Sequence, residues 1–107
     1  PPTALITCYS SFGGRIVQQA YALDIKIPRD LSILSCSYHP QITPFLTPPL
    51  TGINEQPEVV GQQACALLLH RMANPAEAYD SFITVKVPPQ LIEGNSCAPP
   101  TIRGPSR

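Results

Sequence analysis

At 107 residues, 43% hydrophobic and 13% charged, the chain has material for one small domain and too little for two. Seven lysines and arginines balance seven aspartates and glutamates, and the cations are scattered along the chain, which excludes a basic nucleic-acid-binding face within it. Charge at about half the usual globular share leaves apolar surface that a partner surface is expected to cover.

Residues 3–8 (TALITC) form a short β-branched apolar run that reads as a fully buried strand. Pro1 and Pro2 before it look like a linker, so a longer parent protein is expected. A turn rich in serine and glycine follows at residues 9–14. A helix is expected from about Ser11 to Leu23, with Phe12, Ile16, Val17, Ala20 and Leu23 at helical spacing toward the sheet. Pro28 blocks its continuation, and residues 31–36 (LSILSC) read as a second buried strand. Strand, helix, strand in about 35 residues is a βαβ unit, whose crossover is right-handed.

Residues 37–49 form a crossing with spaced prolines, followed by a short third strand at residues 50–54, placed near a sheet edge. The next helix is expected over residues 57–73, with Pro57 in the first turn, where a missing N–H costs little. Glu58 near its start and Arg71 near its end complement the helix dipole. Val60, Ala64, Leu67, Leu68 and Met72 form its apolar stripe, and Gly61, at about 1 kcal/mol against alanine, suggests a close backbone approach. Asn74 and Pro75 stop it. Residues 82–87 (FITVKV) alternate like a strand, Leu91 and Ile92 add a short one, and residues 99–107 read as a disordered tail.

Cys8, Cys36, Cys65 and Cys97 show neither CxxC nor Cys/His spacing, so no metal site is expected, and no cofactor. The first three lie in apolar runs and read as buried, reduced thiols of a cytoplasmic protein. No stretch reads as a signal peptide or a membrane span. Ser10 with His39 and Asp30 suggests a hydrolytic triad, but the G-x-S-x-G turn is missing. Cys36 with His39 is an equally weak thiol pair. Gly13-Gly14 opens a helix after a strand, yet without G-x-G-x-x-G it reads as close packing rather than a phosphate loop. No constellation supports an enzyme.

Four segments in order, IPRDLSIL, LTPPLTGINEQP, GQQACALLLHRM and PPQLIEGNSCAPP, resemble the carboxy-terminal part of the lac repressor/galactose repressor family of transcription factors. Members carry a VPxDxSVVGFDD-like segment, then PPLTT, a long helix, and a strand ending in ELIxRxSTAPP. The resemblance runs along nearly the whole chain. It implies an α/β fold, part of a type I periplasmic-binding-protein-like pair of lobes, with a parallel sheet and flanking helices. Residues 1–49 would belong to the carboxy-terminal lobe, residues 50–74 would return to the amino-terminal lobe, and residues 75–98 would cross back.

The same resemblance implies an effector-binding and dimerisation portion, with DNA read by an amino-terminal domain outside this chain. A small-molecule, sugar-like effector would sit at the carboxyl ends of strands, against Tyr9, Ser10, Ser37, Tyr38 and Glu55. Ordinary strand-end turn residues are the alternative for those five. A homodimer interface would draw on Ile16, Val17, Phe45 and Leu46, with plain core packing the alternative for Ile16 and Val17. The departures fall in the effector site. Tyr9-Ser10 stands where members carry Asn-Asp, Ser37 where they carry a sugar-binding aspartate, and Glu55 where they often carry glutamine. Losing the aspartate removes a two-bond acceptor, so ligand choice is expected to change, toward a larger or aromatic effector stacking on Tyr9 or Tyr38 or toward none. A periplasmic sugar-binding protein with the same fold is the second reading.

Overall fold

The structure, a computed structural model, describes residues 1–77 and 82–101. In chain order it contains β1 (Ala4–Thr7), α1 (Ser10–Ala22), β2 (Ser32–Ser35), a 3-10 turn (Thr43–Phe45), β3 (Thr51–Asn54), α2 (Pro57–Ala73), a second 3-10 turn (Pro75–Glu77) and β4 (Gln90–Ile92). The strands lie in the order β1-β2-β3-β4, with β1 parallel to β2 and β2 parallel to β3. The α/β class and parallel sheet implied by the resemblance are present. Two compact units form: Pro1–Asn54 with the described residues from Leu91 onward, and the described residues of Glu55–Gln90.

In the first unit, α1 covers one face of the sheet. Its buried positions are Ser10, Gly13, Val17 and Ala20, a stripe at helical spacing. Val17 meets Ile33 and Leu50 in the core, with Ile16, Ile27, Leu31 and Leu46 packed around them. A Cβ on Gly13 would stand 2.5 Å from Leu50 Cδ1, so the small residue sets the approach of helix to sheet. Two expected members of the stripe turn outward: Phe12 is 54% exposed and Leu23 69%. The burying set is rotated toward the small residues because they let the helix sit close.

The end of α1 explains the turn before β2. Asp24 takes a left-handed backbone (φ 58), its N–H donates to the Tyr21 carbonyl, and the Ile25 N–H donates to the Ala20 carbonyl at 2.8 Å. This is a Schellman closure, made without the usual glycine.

β2 is the buried centre, with Ile33 fully enclosed. β3 begins only opposite Leu34, so the Ile33 N–H has no partner on it. The returning segment fills that place. Ile33 N–H donates to the Ser96 carbonyl at 2.9 Å, and Asn95 N–H donates to the Pro49 carbonyl at 2.8 Å. The Ser32 hydroxyl both donates to the Ala98 carbonyl and accepts from the Ala98 N–H, each at 3.0 Å. The buried Ser96 hydroxyl accepts from the Thr51 N–H at 2.8 Å and donates to the Ile33 carbonyl, joining β2 to β3.

Several expectations are corrected. β1 is an edge strand with only Thr7 buried, and Ile6 is 70% exposed, because among the described residues α1 covers just one of its faces. β3 is flanked by β2 and the edge strand β4, near the sheet edge as expected. Residues 82–87 carry no strand, so alternation there is not matched by pairing. Cys8, Cys65 and Cys97 are exposed and Cys36 is half-buried; all four thiols are free. At the tail, Pro99, Pro100 and Thr101 are described, and the Thr101 hydroxyl donates to the Arg29 carbonyl at 2.8 Å; residues 102–107, also expected to be disordered, lie outside the described residues.

The second unit is built on α2, which keeps its expected bounds. Pro57 opens it, Glu58 lies in its first turn, and His70 and Arg71 lie in its last. Asn74 closes it, with its side-chain amide donating to the His70 carbonyl at 2.9 Å. Among the described residues no side chain of α2 is buried; Leu67 and Arg71 are half-buried and the rest of the expected stripe is exposed. A Cβ on Gly61 would meet nothing within 4 Å among the described residues, so the close approach expected at that glycine is not present among them.

Candidate functional site

The first unit brings four of the five expected effector residues to one end of the sheet. β1 and β2 run in register from Ala4 opposite Ser32 to Thr7 opposite Ser35, so both strands stop level and both chains turn together. Cys36 N–H donates to the Thr7 carbonyl at 2.7 Å, one step past the last strand pair. Tyr9 then serves as the N-cap of α1, but its side chain makes no capping bond. Ser37 supplies it instead: the Ser10 N–H donates to the Ser37 hydroxyl at 2.9 Å, across 27 residues of sequence. The Ser37 N–H in turn donates to the Ser35 hydroxyl at 3.3 Å.

Each tyrosine is the chain neighbour of one partner in that bond. Tyr9 is 60% exposed, and its ring meets Phe12 edge to face, centroids 5.7 Å apart and planes at 69°. The Thr7 hydroxyl donates to the Tyr9 carbonyl at 3.1 Å and so fixes the backbone beneath the ring. Tyr38 is half-buried, and its ring edge runs past Gly52 of β3, where an added Cβ would meet the Tyr38 Cδ2 at 3.4 Å and the Ser37 carbonyl at 3.0 Å. Ser10 itself is buried. Glu55 belongs to the second unit, where it precedes α2 and is exposed.

Three contributors were not anticipated. Phe12 was expected in the core, whereas it faces Tyr9. Thr7 holds the Tyr9 carbonyl from two residues away, and Gly52 meets Tyr38 across the parallel pair of β2 and β3.

Two ion pairs of this unit lie in the turn that leads into β2, at the opposite end of that strand. Lys26 bonds to Asp24, and Arg29 bonds to Asp30 through two nitrogens at 3.1 Å each. The Lys26 ammonium, first as hydrogen-bond donor and then as a nearby charge, holds the Asp24 carboxyl below its ordinary range; Asp30 likewise raises the Arg29 guanidinium. Asp30 precedes β2 and His39 follows it, so the strand's length separates them and Ser10, His39 and Asp30 form no triad. Among the described residues no group of three or more His, Cys, Asp or Glu side chains could hold a metal ion, and no helix is long and apolar enough to cross a membrane.

The model of the periplasmic binding protein-like domain family matches residues 1–97. Among curated proteins, the chain is 27% identical over 74 residues to the ribose operon repressor of Escherichia coli K12, covering 69% of this chain and 22% of that protein. It is 28% identical over 91 residues to the HTH-type transcriptional repressor PurR of Haemophilus influenzae, covering 85% of this chain and 27% of that protein. The chain thus spans about a quarter of the length of these relatives. Among solved structures, a LacI family transcriptional regulator from Bifidobacterium animalis superposes with a TM-score of 0.81 at 26% identity, over 94% of this chain and 35% of that one. Strand order, parallel register and family match agree: the chain belongs to the periplasmic binding protein-like domain family.

Proposed function

We propose that this chain is the effector-binding and dimerisation portion of a cytoplasmic, ligand-modulated transcription regulator whose DNA-reading domain lies outside it. The observation that carries this reading is the family match along residues 1–97 together with relatives that are repressors by name. Its work is differential binding: an effector that prefers one arrangement of the parent protein shifts its DNA affinity. It catalyses no reaction. The assignment of residues 1–49, 50–74 and 75–98 to alternating lobes belongs to the same reading.

The effector site proposed within the first unit is made by Tyr9, Ser10, Ser37 and Tyr38. The level strand ends and the Ser10–Ser37 bond support it, because they hold the two tyrosines on adjoining turns. The homodimer surface draws on Ile16, Phe45 and Leu46; Val17, expected there too, is buried in the core instead. Phe45, 78% exposed, is its projecting member, and Ile16 and Leu46 are partly buried against the core.

The test is DNA binding by the full natural protein. A mobility shift on the DNA upstream of its own gene, altered by a small molecule, is the expected result. A natural product that opens with a cleaved secretion signal and binds no DNA would overturn the reading in favour of a periplasmic sugar-binding protein.

A further inference from the structure

We propose that the site at the ends of β1 and β2 takes a planar aromatic ligand rather than a polyol. This rests on the effector-site reading above and specifies the ligand class. A polyol needs closely spaced acceptors and donors that bind paired hydroxyls, for which a carboxylate is the strongest single group. The first unit offers none at this place: residues 7–12 and 35–39 contain no aspartate or glutamate, and no lysine or arginine. Three of the hydroxyls at the strand ends are committed to backbone partners, and a hydroxyl is a weaker and less fixed partner than a carboxylate. Ser37 accepts from the Ser10 N–H, Ser35 accepts from the Ser37 N–H, and Thr7 donates to the Tyr9 carbonyl.

What the site does offer is ring surface. Tyr9 and Phe12 stand edge to face, and each leaves more than half of its surface open, at 60% and 54%. An edge-to-face pair fixes one ring and leaves its face free for a third. Tyr38 supplies another ring from the adjoining strand end, lodged beside Gly52, where the missing side chain leaves it room. The 2.9 Å bond between the residues next to each tyrosine keeps the two turns at a set separation. Rings held by a rigid backbone lose little entropy on binding a flat partner.

The experiment is calorimetric titration of the full natural protein with adenine, nicotinamide and indole as aromatic probes, and with D-ribose and D-glucose as polyol probes. Binding of at least one aromatic probe and neither sugar is the expected result. Tyr9→Ala should weaken it about tenfold or more, since stacking on an aromatic ring contributes roughly 1–3 kcal/mol. Tyr9→Phe should keep it, which separates loss of the ring from loss of the fold. Binding of a sugar with no aromatic probe overturns the ligand class while leaving the effector site standing. Binding of no probe overturns both. Aromatic binding unchanged in Tyr9→Ala places the ligand elsewhere and overturns the assignment.

Discussion

The Ser10 N–H donates to the Ser37 hydroxyl at 2.9 Å, so the first amide of α1 is capped from the end of a different element. The helix's own N-cap, Tyr9, has no side-chain atom in that role, and its first turn has no acidic residue. Ser37 therefore does local structural work at the position where the resemblance leads one to expect a ligand-binding carboxylate. The bond ties β2 to α1 and fixes the rim on which both tyrosines stand.

Ser37→Ala should destabilise the protein by about 1 kcal/mol, the usual cost of a lost helix cap. Ser37→Asp should be neutral or stabilising by a few tenths of a kcal/mol, because a carboxylate accepts the same bond and favours the helix N-terminus. Urea unfolding of the three proteins checks the order. Equal stability of Ser37→Ala and wild type would remove the capping role.

Ser96→Ala should cost more, about 2 kcal/mol. Its hydroxyl is fully buried and serves both the Thr51 N–H and the Ile33 carbonyl, and leaving buried groups unsatisfied costs more than an exposed bond returns. Hydrogen exchange at the Thr51 amide should quicken before global unfolding changes.

Two glycines predict opposite signs. A Cβ on Gly94 would stand 2.5 Å from the Pro49 carbonyl oxygen and 2.7 Å from the Leu50 carbonyl, all backbone that cannot swing aside. Gly94→Ala should therefore destabilise by about 1–3 kcal/mol. Gly61→Ala, in open space on α2, should stabilise by up to about 1 kcal/mol through helix propensity. Melting temperatures of the pair distinguish packing from propensity at a glance.

The Asp24 carboxyl should titrate below its ordinary value, chiefly through its bond to Lys26. A depressed carboxyl contributes stability above its unfolded pKa, and that contribution disappears as pH falls through the folded value. The window is thus below about pH 4, and the effect is small and salt-sensitive because the pair is exposed. NMR titration of Asp24 should show the low midpoint, and Lys26→Met should return it to the ordinary range.

Much of the architecture was legible. The apolar runs at β1 and β2 and the proline, acid and base placement of α2 each follow from local rules, and those elements fall where expected. Burial was less legible. Leu5, Ile6 and the α2 stripe have the composition of core, but composition states only that a surface wants covering, and within the described residues these are uncovered. The FITVKV alternation misled because a strand needs a partner as well as a pattern. At the site, the strand-end position of Tyr9, Ser10, Ser37 and Tyr38 came from order and resemblance. Phe12, Thr7 and Gly52 did not: Gly52 acts on Tyr38 from the neighbouring strand, and the Thr7 and Phe12 contacts to Tyr9 depend on how the turn into α1 is set.

The sequence by itself determined the element order, the βαβ unit, the bounds of α2 and the family, because hydrophobic period, proline and motif spacing act over a few residues. Tertiary structure decided that Ser37 caps α1, that Ser96 joins β2 to β3, and that Tyr38 lodges beside Gly52. The Ser37 and Ser96 bonds link groups tens of residues apart. The Ser37 bond exists because the parallel β1–β2 register levels the two strand ends, and the Ser96 bonds because the returning segment lies beside β2 and β3, distances no local pattern encodes.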